Sequence, residues 1–198
     1  MKKQPSKRQL SVLDLAHKFL REHVKPGDIC IDATAGRGFD TKLLCELTGE
    51  TGKVIAFDIQ PDAVASTKQL LAEHGLQAEV YLESHANMCK YAEKGTVSCV
   101  VFNFGWLPGG NHEIFTHADS SIAALDAALS LLRTGGALCL CIYYGGANGY
   151  SERDALTAYL SALESRYYTV LEMRFPNRTG DPPFAVIVTK DSEPEVKA

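Results

Sequence analysis

Residues 167–190 read YYTVLEMRFPNRTGDPPFAVIVTK. Two runs rich in β-branched and aromatic residues flank PNRTGDPP, whose prolines, glycine and asparagine mark a turn region. Parallel neighbours in one sheet need a crossover of about a dozen residues or more, usually a helix. The eight residues here leave room only for an antiparallel pair. The chain therefore closes on a reversed hairpin, so the sheet that it finishes is not parallel throughout.

Working back from that hairpin, the pattern alternates. SERDALTAYLSALES (151–165) predicts a helix with Ser151 as N-cap and Asp154 at its third position. ALCLCIYY (137–144) predicts a strand, and DSSIAALDAALSLLRTGG (119–136) an apolar-faced helix stopped by Gly135 and Gly136. SCVVFN (98–103), AEVYLES (78–84), KVIAFDI (53–59) and DICID (28–32) predict four more strands. Between the earlier ones, PDAVASTKQLLAEHG (61–75) is a helix opened by Pro61 and stopped by Gly75. LSVLDLAHKFLREHV (10–24) is a further helix, with Leu10, Leu13, Ala16 or His17, and Leu20 on one face. Strand and helix in alternation imply an α/β, doubly wound, mainly parallel seven-stranded sheet covered on both faces, with the antiparallel C-terminal hairpin at one end. No repeat or linker divides residues 1–198, so one domain is expected, with residues 1–9 and 191–198 as flexible ends.

DATAGRGFDT (32–41) leaves the first strand and opens a helix. Gly36 and Gly38 let backbone approach a ligand closely. A G-x-G pair gains meaning from Asp58, which ends the second strand twenty residues after Gly38, the interval at which a carboxylate accepts hydrogen bonds from a ribose diol. The dinucleotide fingerprint would put a third glycine at position 41, where this chain has Thr41. That disfavours a pyrophosphate and favours S-adenosylmethionine, whose ammonium and carboxylate find partners in Asp32, Asp40 and Thr41. A glycine turn needed only for packing is the bland alternative. His85 and Asn87 follow the third strand, where class I methyltransferases contact adenine, and an asparagine can pair with its edge; a loop histidine without ligand is the other reading of His85.

NFGWLPGGNH (103–112) begins where the fourth strand ends. Ligands of doubly wound sheets bind beyond the carboxyl ends of strands, near the switch in strand order. Asn103 there offers a carbonyl acceptor to an amine, Trp106 could stack on a base, and Pro108, Gly109 and Gly110 form a turn with little bulk. An alkylamine must lose a proton before it attacks, and His112 is the nearest titratable residue in the sequence, with a solvated loop histidine as the alternative.

The charge balance, 20 Lys and Arg against 24 Asp and Glu, excludes a global basic field for nucleic acid. Local basic groups are Lys2, Lys3, Lys7 and Arg8, which also suit a solvated tail, and Arg174 with Arg178. Six cysteines show no metal-binding spacing, and Cys139 and Cys141 read as core residues. No metal is expected. With no secretory signal and no long apolar run, the expectation is a reduced, cytoplasmic protein without a membrane segment.

DATAGRGFDT, FDIQ, SHANM, NFGWLPGGNH, IYYGGANGYSE and NRTGDPPF together resemble the small bacterial class I methyltransferases called "putative rRNA methylases", over residues 10–190. The resemblance implies a Rossmann-like class I methyltransferase fold. It implies N-methylation of the 5-aminomethyl group of the tRNA wobble uridine, or its 2-thio form, to 5-methylaminomethyl-uridine, with S-adenosylmethionine as donor and the tRNA anticodon region as partner. It further implies cofactor contacts from Asp32, Gly36, Gly38, Asp40, Thr41, Asp58, Gln60, His85 and Asn87. An acceptor pocket follows from Asn103, Gly105, Leu107, Pro108, Tyr143, Tyr144, Asn177 and Pro183. The chain departs from the family pattern at Arg37, Phe39 and Gly146-Ala147. Methylation of rRNA or of a small amine, a nicotinamide oxidoreductase and a non-enzymatic RNA-binding module are the competing readings. A homodimer is expected, because a small enzyme that holds tRNA gains surface from a second subunit.

Overall fold

The structure, a computed structural model, describes residues 9–105 and 118–195. Its elements in chain order are α1 (Val12–His23), β1 (Ile29–Asp32), α2 (Phe39–Thr48), β2 (Lys53–Asp58), α3 (Pro61–Glu73), β3 (Glu79–Leu82), a 3-10 turn (His85–Lys90), β4 (Val97–Phe104), α4 (Ala118–Leu131), β5 (Leu132–Ile142), α5 (Gly146–Ser161), β6 (Tyr168–Met173) and β7 (Phe184–Lys190). They build one seven-stranded sheet of order β3-β2-β1-β4-β5-β7-β6. The pairs from β3 to β5 are parallel, and β7 is antiparallel to both β5 and β6. The reversed hairpin is present, and it enters the sheet with its second strand innermost. Strand order reverses between β1 and β4, which places the crevice for ligands above their carboxyl ends.

Period-two alternation sorts the strand residues by size. Ile31, Ile55, Phe57, Val100, Phe102, Phe104, Leu138, Leu140 and Phe184 face the layer that carries the 3-10 turn, α4 and α5. Cys30, Val54, Ala56, Cys99, Val101, Cys139, Cys141 and Ala185 face the layer of α1, α2 and α3. Small side chains on the second face let those three helices sit close to the sheet, which is the packing role of the buried cysteines. The described cysteines are all free thiols; Cys89 is exposed and the other five are buried.

Local signals set most element ends. Ser11 accepts the Asp14 amide N–H at 3.1 Å, and the Asp14 carboxylate accepts the Ser11 amide N–H at 2.7 Å, a reciprocal cap that starts α1. Pro61 opens α3, and Gly75 follows it at φ +65°.

Two boundaries differ from expectation. Helix α5 begins at Gly146, so Ser151 lies inside the helix and is not its N-cap. A side chain at Gly149 would stand 3.2 Å from the Tyr144 backbone, and the missing Cβ lets the glycine-rich first turn press against the chain leaving β5. Helix α4 ends at Leu131 and not at the glycine pair, because Leu132 pairs with Val97 and Gly136 lies where a Cβ would meet the Val97 carbonyl at 2.9 Å. Sheet pairing overrode helix periodicity there. No described helix is long and apolar enough to cross a membrane.

Candidate active site

A cavity of about 980 Å³ opens above the carboxyl ends of the strands, walled by the turns after β1, β2, β3 and β5 and by one face of α1. The turn after β1 is built on its glycines. Gly36 at φ +54° and Gly38 at φ +83° adopt left-handed backbone, and a Cβ on Gly38 would stand 2.9 Å from the Thr67 Cα in α3. We expect Gly38→Ala to lower the unfolding free energy by about 1–3 kcal/mol through backbone strain alone, more as α3 is displaced. Denaturant midpoints of the two proteins check this.

Three carboxylates organise the turn. Asp58 at the end of β2 accepts the Gly36 amide at 2.9 Å through Oδ2 and the Gln60 amide at 2.9 Å through Oδ1, tying the glycine turn to the start of α3. Asp32, fully buried at the end of β1, accepts the Thr41 hydroxyl at 2.6 Å and the Thr34 amide at 3.1 Å. Asp40, in the first turn of α2, accepts the Asn103 amide Nδ2 at 2.6 Å through Oδ2 and holds His17 Nε2 at 2.6 Å through Oδ1. Asn103 in turn donates its backbone N–H to Thr34 Oγ1 at 2.7 Å. The glycine turn and the end of β4 are thus bonded to one another directly.

Burial first, and the neighbouring Asp40 carboxylate second, push the Asp32 carboxyl up from 3.8 to about 7, against the bonds from Thr41 and Thr34. A folded carboxyl that keeps its proton to about pH 7 binds more protons than its unfolded counterpart across that window, so stability falls as pH rises through it. Asp32→Asn is therefore expected to melt above the parent protein at pH 8 and to lose that advantage near pH 4. Melting curves across the range measure the difference.

On the far wall, His85 Nδ1 lies 3.1 Å from the Ala33 carbonyl, which can only accept, so the proton sits on Nδ1 and Nε2 is left as an acceptor. Burial pushes this imidazole below its ordinary value. Ile59, 58% exposed, and Phe39, 66% exposed, give the rim a flat apolar lining beside Asp58 and Gln60.

The wall includes Gly36, Asp40, Asp58, Gln60, His85, Asn103, Gly105, Tyr143, Tyr144 and Pro183. Asp32, Gly38 and Thr41 stand directly behind it, as supports of the turn. Asn87 and Asn177 are not on the wall, and the Asn87 amide donates to Glu83 at 3.0 Å. Trp106, Leu107, Pro108 and His112 lie outside the described residues. His17 was absent from the expected site: in sequence it is one of two alternatives on a helix face, and only the packing of α1 brings it to Asp40.

The donor set selects a class of ligand. Asp32, Asp40 and Asp58 cluster at the helix start where a pyrophosphate would otherwise sit, and among the described residues no lysine or arginine is ion-paired to them. That field repels a diphosphate and suits a cation. Asn103 Oδ1 is buried and, among the described residues, has no hydrogen-bond partner, because the amide has turned its Nδ2 to Asp40. An N–H donor would satisfy it. The residues fit a ligand with an adenosine end, at the Asp58 side, and a cationic end, at the Asp40 side.

Comparison with known proteins points the same way. Residues 54–189 match the family described as "Putative rRNA methylase". A chloroplastic tRNA (mnm5s2U34)-methyltransferase of Arabidopsis thaliana is 34% identical over 176 residues, covering 83% of this chain; the chain spans 64% of that relative. Among solved structures, an rRNA methylase of this description from Clostridium thermocellum superposes with a TM-score of 0.89 at 37% identity, covering 92% of this chain and 99% of its own. A Streptococcus mutans methyltransferase crystallised with SAH superposes with a TM-score of 0.83 at 30% identity, over 92% and 99% of the two chains.

Proposed function

The chain belongs to the "Putative rRNA methylase" family, and on that premise we propose that it is an S-adenosylmethionine-dependent methyltransferase that N-methylates the 5-aminomethyl group of the tRNA wobble uridine, with or without 2-thiolation. The observation that carries the reading is the bonded contact between the glycine turn and the end of β4 through Asp40 and Asn103. It sets the acid-rich cofactor turn against an unpaired carbonyl acceptor. The fold and the SAH-bound neighbour support the cofactor, and the plant relative supports the substrate.

In this reading Gly36, Asp58, Gln60 and His85 hold the adenosine end, and the Asp40 side of the turn receives the methionyl end, with Asp32, Gly38 and Thr41 fixing the turn from behind. S-adenosylmethionine supplies a methyl group already activated on a sulfonium. The chain then has to position an amine, exclude water and accept a proton. Asn103 Oδ1 accepts an N–H of the incoming nitrogen and aims its lone pair, and Tyr143, Tyr144 and Pro183 wall the acceptor side.

Since the ionised Asp32 and Asp40 attract a cation, affinity for the cofactor is expected to rise between pH 6 and pH 8 as Asp32, pushed up to about 7, ionises. Calorimetric titration at the two pH values tests it, and Asp32→Asn should flatten the rise.

Incubation of the protein and labelled cofactor with three RNAs tests the substrate: tRNA bearing aminomethyl-uridine, unmodified tRNA, and rRNA. Labelling of the first alone is expected. Labelling of rRNA alone would replace the tRNA reading with rRNA methylation, and equal labelling of all three would count against the aminomethyl-uridine substrate. The proposal includes a homodimer, for which β6, an edge strand with Leu171 exposed, offers a flank; sedimentation of the full chain measures it.

A further inference from the structure

His17 shares a carboxylate with Asn103. Asp40 Oδ1 holds His17 Nε2 at 2.6 Å, while Oδ2 holds Asn103 Nδ2 at 2.6 Å. Both residues line the same cavity. As a carboxylate Asp40 can only accept, so the proton of the short contact with His17 belongs to Nε2. In the neutral ring Nδ1 is then the unprotonated nitrogen, and among the described residues it has no hydrogen-bond partner. The His17 side chain is 31% exposed, which gives the ring a route to water as well as to the cavity. A carboxylate that fixes one imidazole nitrogen and leaves the other free is the arrangement of a general base.

We propose that His17 is the proton acceptor of the reaction, with Asp40 as its positioning partner and Asn103 holding the same nitrogen that His17 deprotonates. This rests on the reading of the acceptor as an alkylamine. The ammonium form of the acceptor gives one proton to His17 Nδ1, directly or through one water, and so regains its lone pair. That pair forms the N–C bond to the transferred methyl while the S–C bonding pair stays on sulfur as a thioether. The product leaves as an N-methyl ammonium, and the imidazolium, paired with Asp40, returns its proton to solvent at its exposed edge.

The charged and titratable groups around the ring come from several elements. Asp40 faces it from the first turn of α2, Asp32 at the end of β1 is bonded to that same turn through Thr41, and Asp14 and Arg21 lie on α1 itself. Tyr143 lines the same cavity beyond β5, where burial pushes its phenol up, and Asp181 lines it from the β6–β7 connection. Arg178 of that connection reaches the Leu10 carbonyl just before α1.

Three measurements on the full chain test the assignment. In the unliganded protein, nitrogen NMR of labelled histidines, with the His17 signals identified by their loss in His17→Gln, should show the neutral ring protonated on Nε2. His17→Ala should lower kcat on aminomethyl-uridine tRNA by about 100-fold with SAH affinity within about threefold of the parent, and added imidazole should restore part of the rate saturably. His17→Gln, which keeps a donor for Asp40 but has no basic nitrogen, should be as slow as His17→Ala. Full activity of His17→Gln would make His17 a positioning residue and overturn the proposal. So would a parallel loss of SAH affinity, a proton on Nδ1, or the absence of rescue. A parent protein that methylates rRNA but no aminomethyl-uridine tRNA overturns the substrate reading instead, whereas an active parent with an unimpaired His17→Ala overturns this inference alone.

Discussion

Asp58→Ala is expected to weaken S-adenosylmethionine binding by about 100-fold or more while leaving the fold intact. The carboxylate makes two charge-assisted hydrogen bonds, to the Gly36 and Gln60 amides, each at 2.9 Å. A hydrogen bond from a ribose hydroxyl to such a carboxylate contributes about 1.5–3 kcal/mol, and about 1.4 kcal/mol is tenfold in affinity. Each carboxylate oxygen keeps a second lone pair for the ribose hydroxyls, so truncation removes ligand contacts and the tether of the glycine turn together. Because Asp58 borders an open cavity, water can satisfy the freed amides, and the melting temperature should move little. Asp58→Asn, with one acceptor instead of two, should fall between. Calorimetry with S-adenosylmethionine and with SAH reads the loss. Affinity within twofold of the parent would remove the adenosine end of the ligand from this side of the cavity.

The sheet was legible because its rules are local. The short connection before β7 dictated antiparallel pairing, and runs such as VSCVVF could only be buried strands. The size sorting of the two faces was only half visible: the alternation of cysteine and leucine in LCLC is in the sequence, but which face takes the close-packed helices depends on the handedness of the crossovers. At Gly146 and at Leu132 tertiary contacts decided the element boundaries, against the local preference for a loop and for a helix.

The site divides along the same line. Asp32, Gly36, Gly38, Asp40, Asp58 and Asn103 sit at strand ends or in the turn that a strand-to-helix junction fixes, so spacing along the chain converts directly into position. Asn87 lies inside a 3-10 turn, whose rotation sends its amide to Glu83, and no spacing rule reports that angle. His17 is farther still from local reasoning. Its partner is Asp40, on a different helix, and the meeting depends on where α1 crosses the sheet.

Asn103→Ala separates acceptor positioning from cofactor binding. Removing the side chain deletes the unpaired Oδ1 and the bond from Nδ2 to Asp40, while the backbone bond to Thr34 Oγ1 persists. The strand end should therefore stay in place. If Oδ1 orients the acceptor nitrogen, the cost falls on the reacting geometry, where a displacement of about 1 Å is worth roughly 100-fold in rate. We expect kcat on aminomethyl-uridine tRNA to drop by that order and SAH affinity to change by less than about threefold. Asn103→Asp should be no better than alanine at pH 8. It puts a second carboxylate against Asp40, and two like charges at hydrogen-bond distance cannot both ionise without strong repulsion. Partial recovery of Asn103→Asp at lower pH, where one of the pair holds a proton and can again donate to the other, would tie activity to the orientation of this side chain. Loss of SAH affinity in step with kcat would instead assign Asn103 to the cofactor and leave the acceptor nitrogen without a partner on β4.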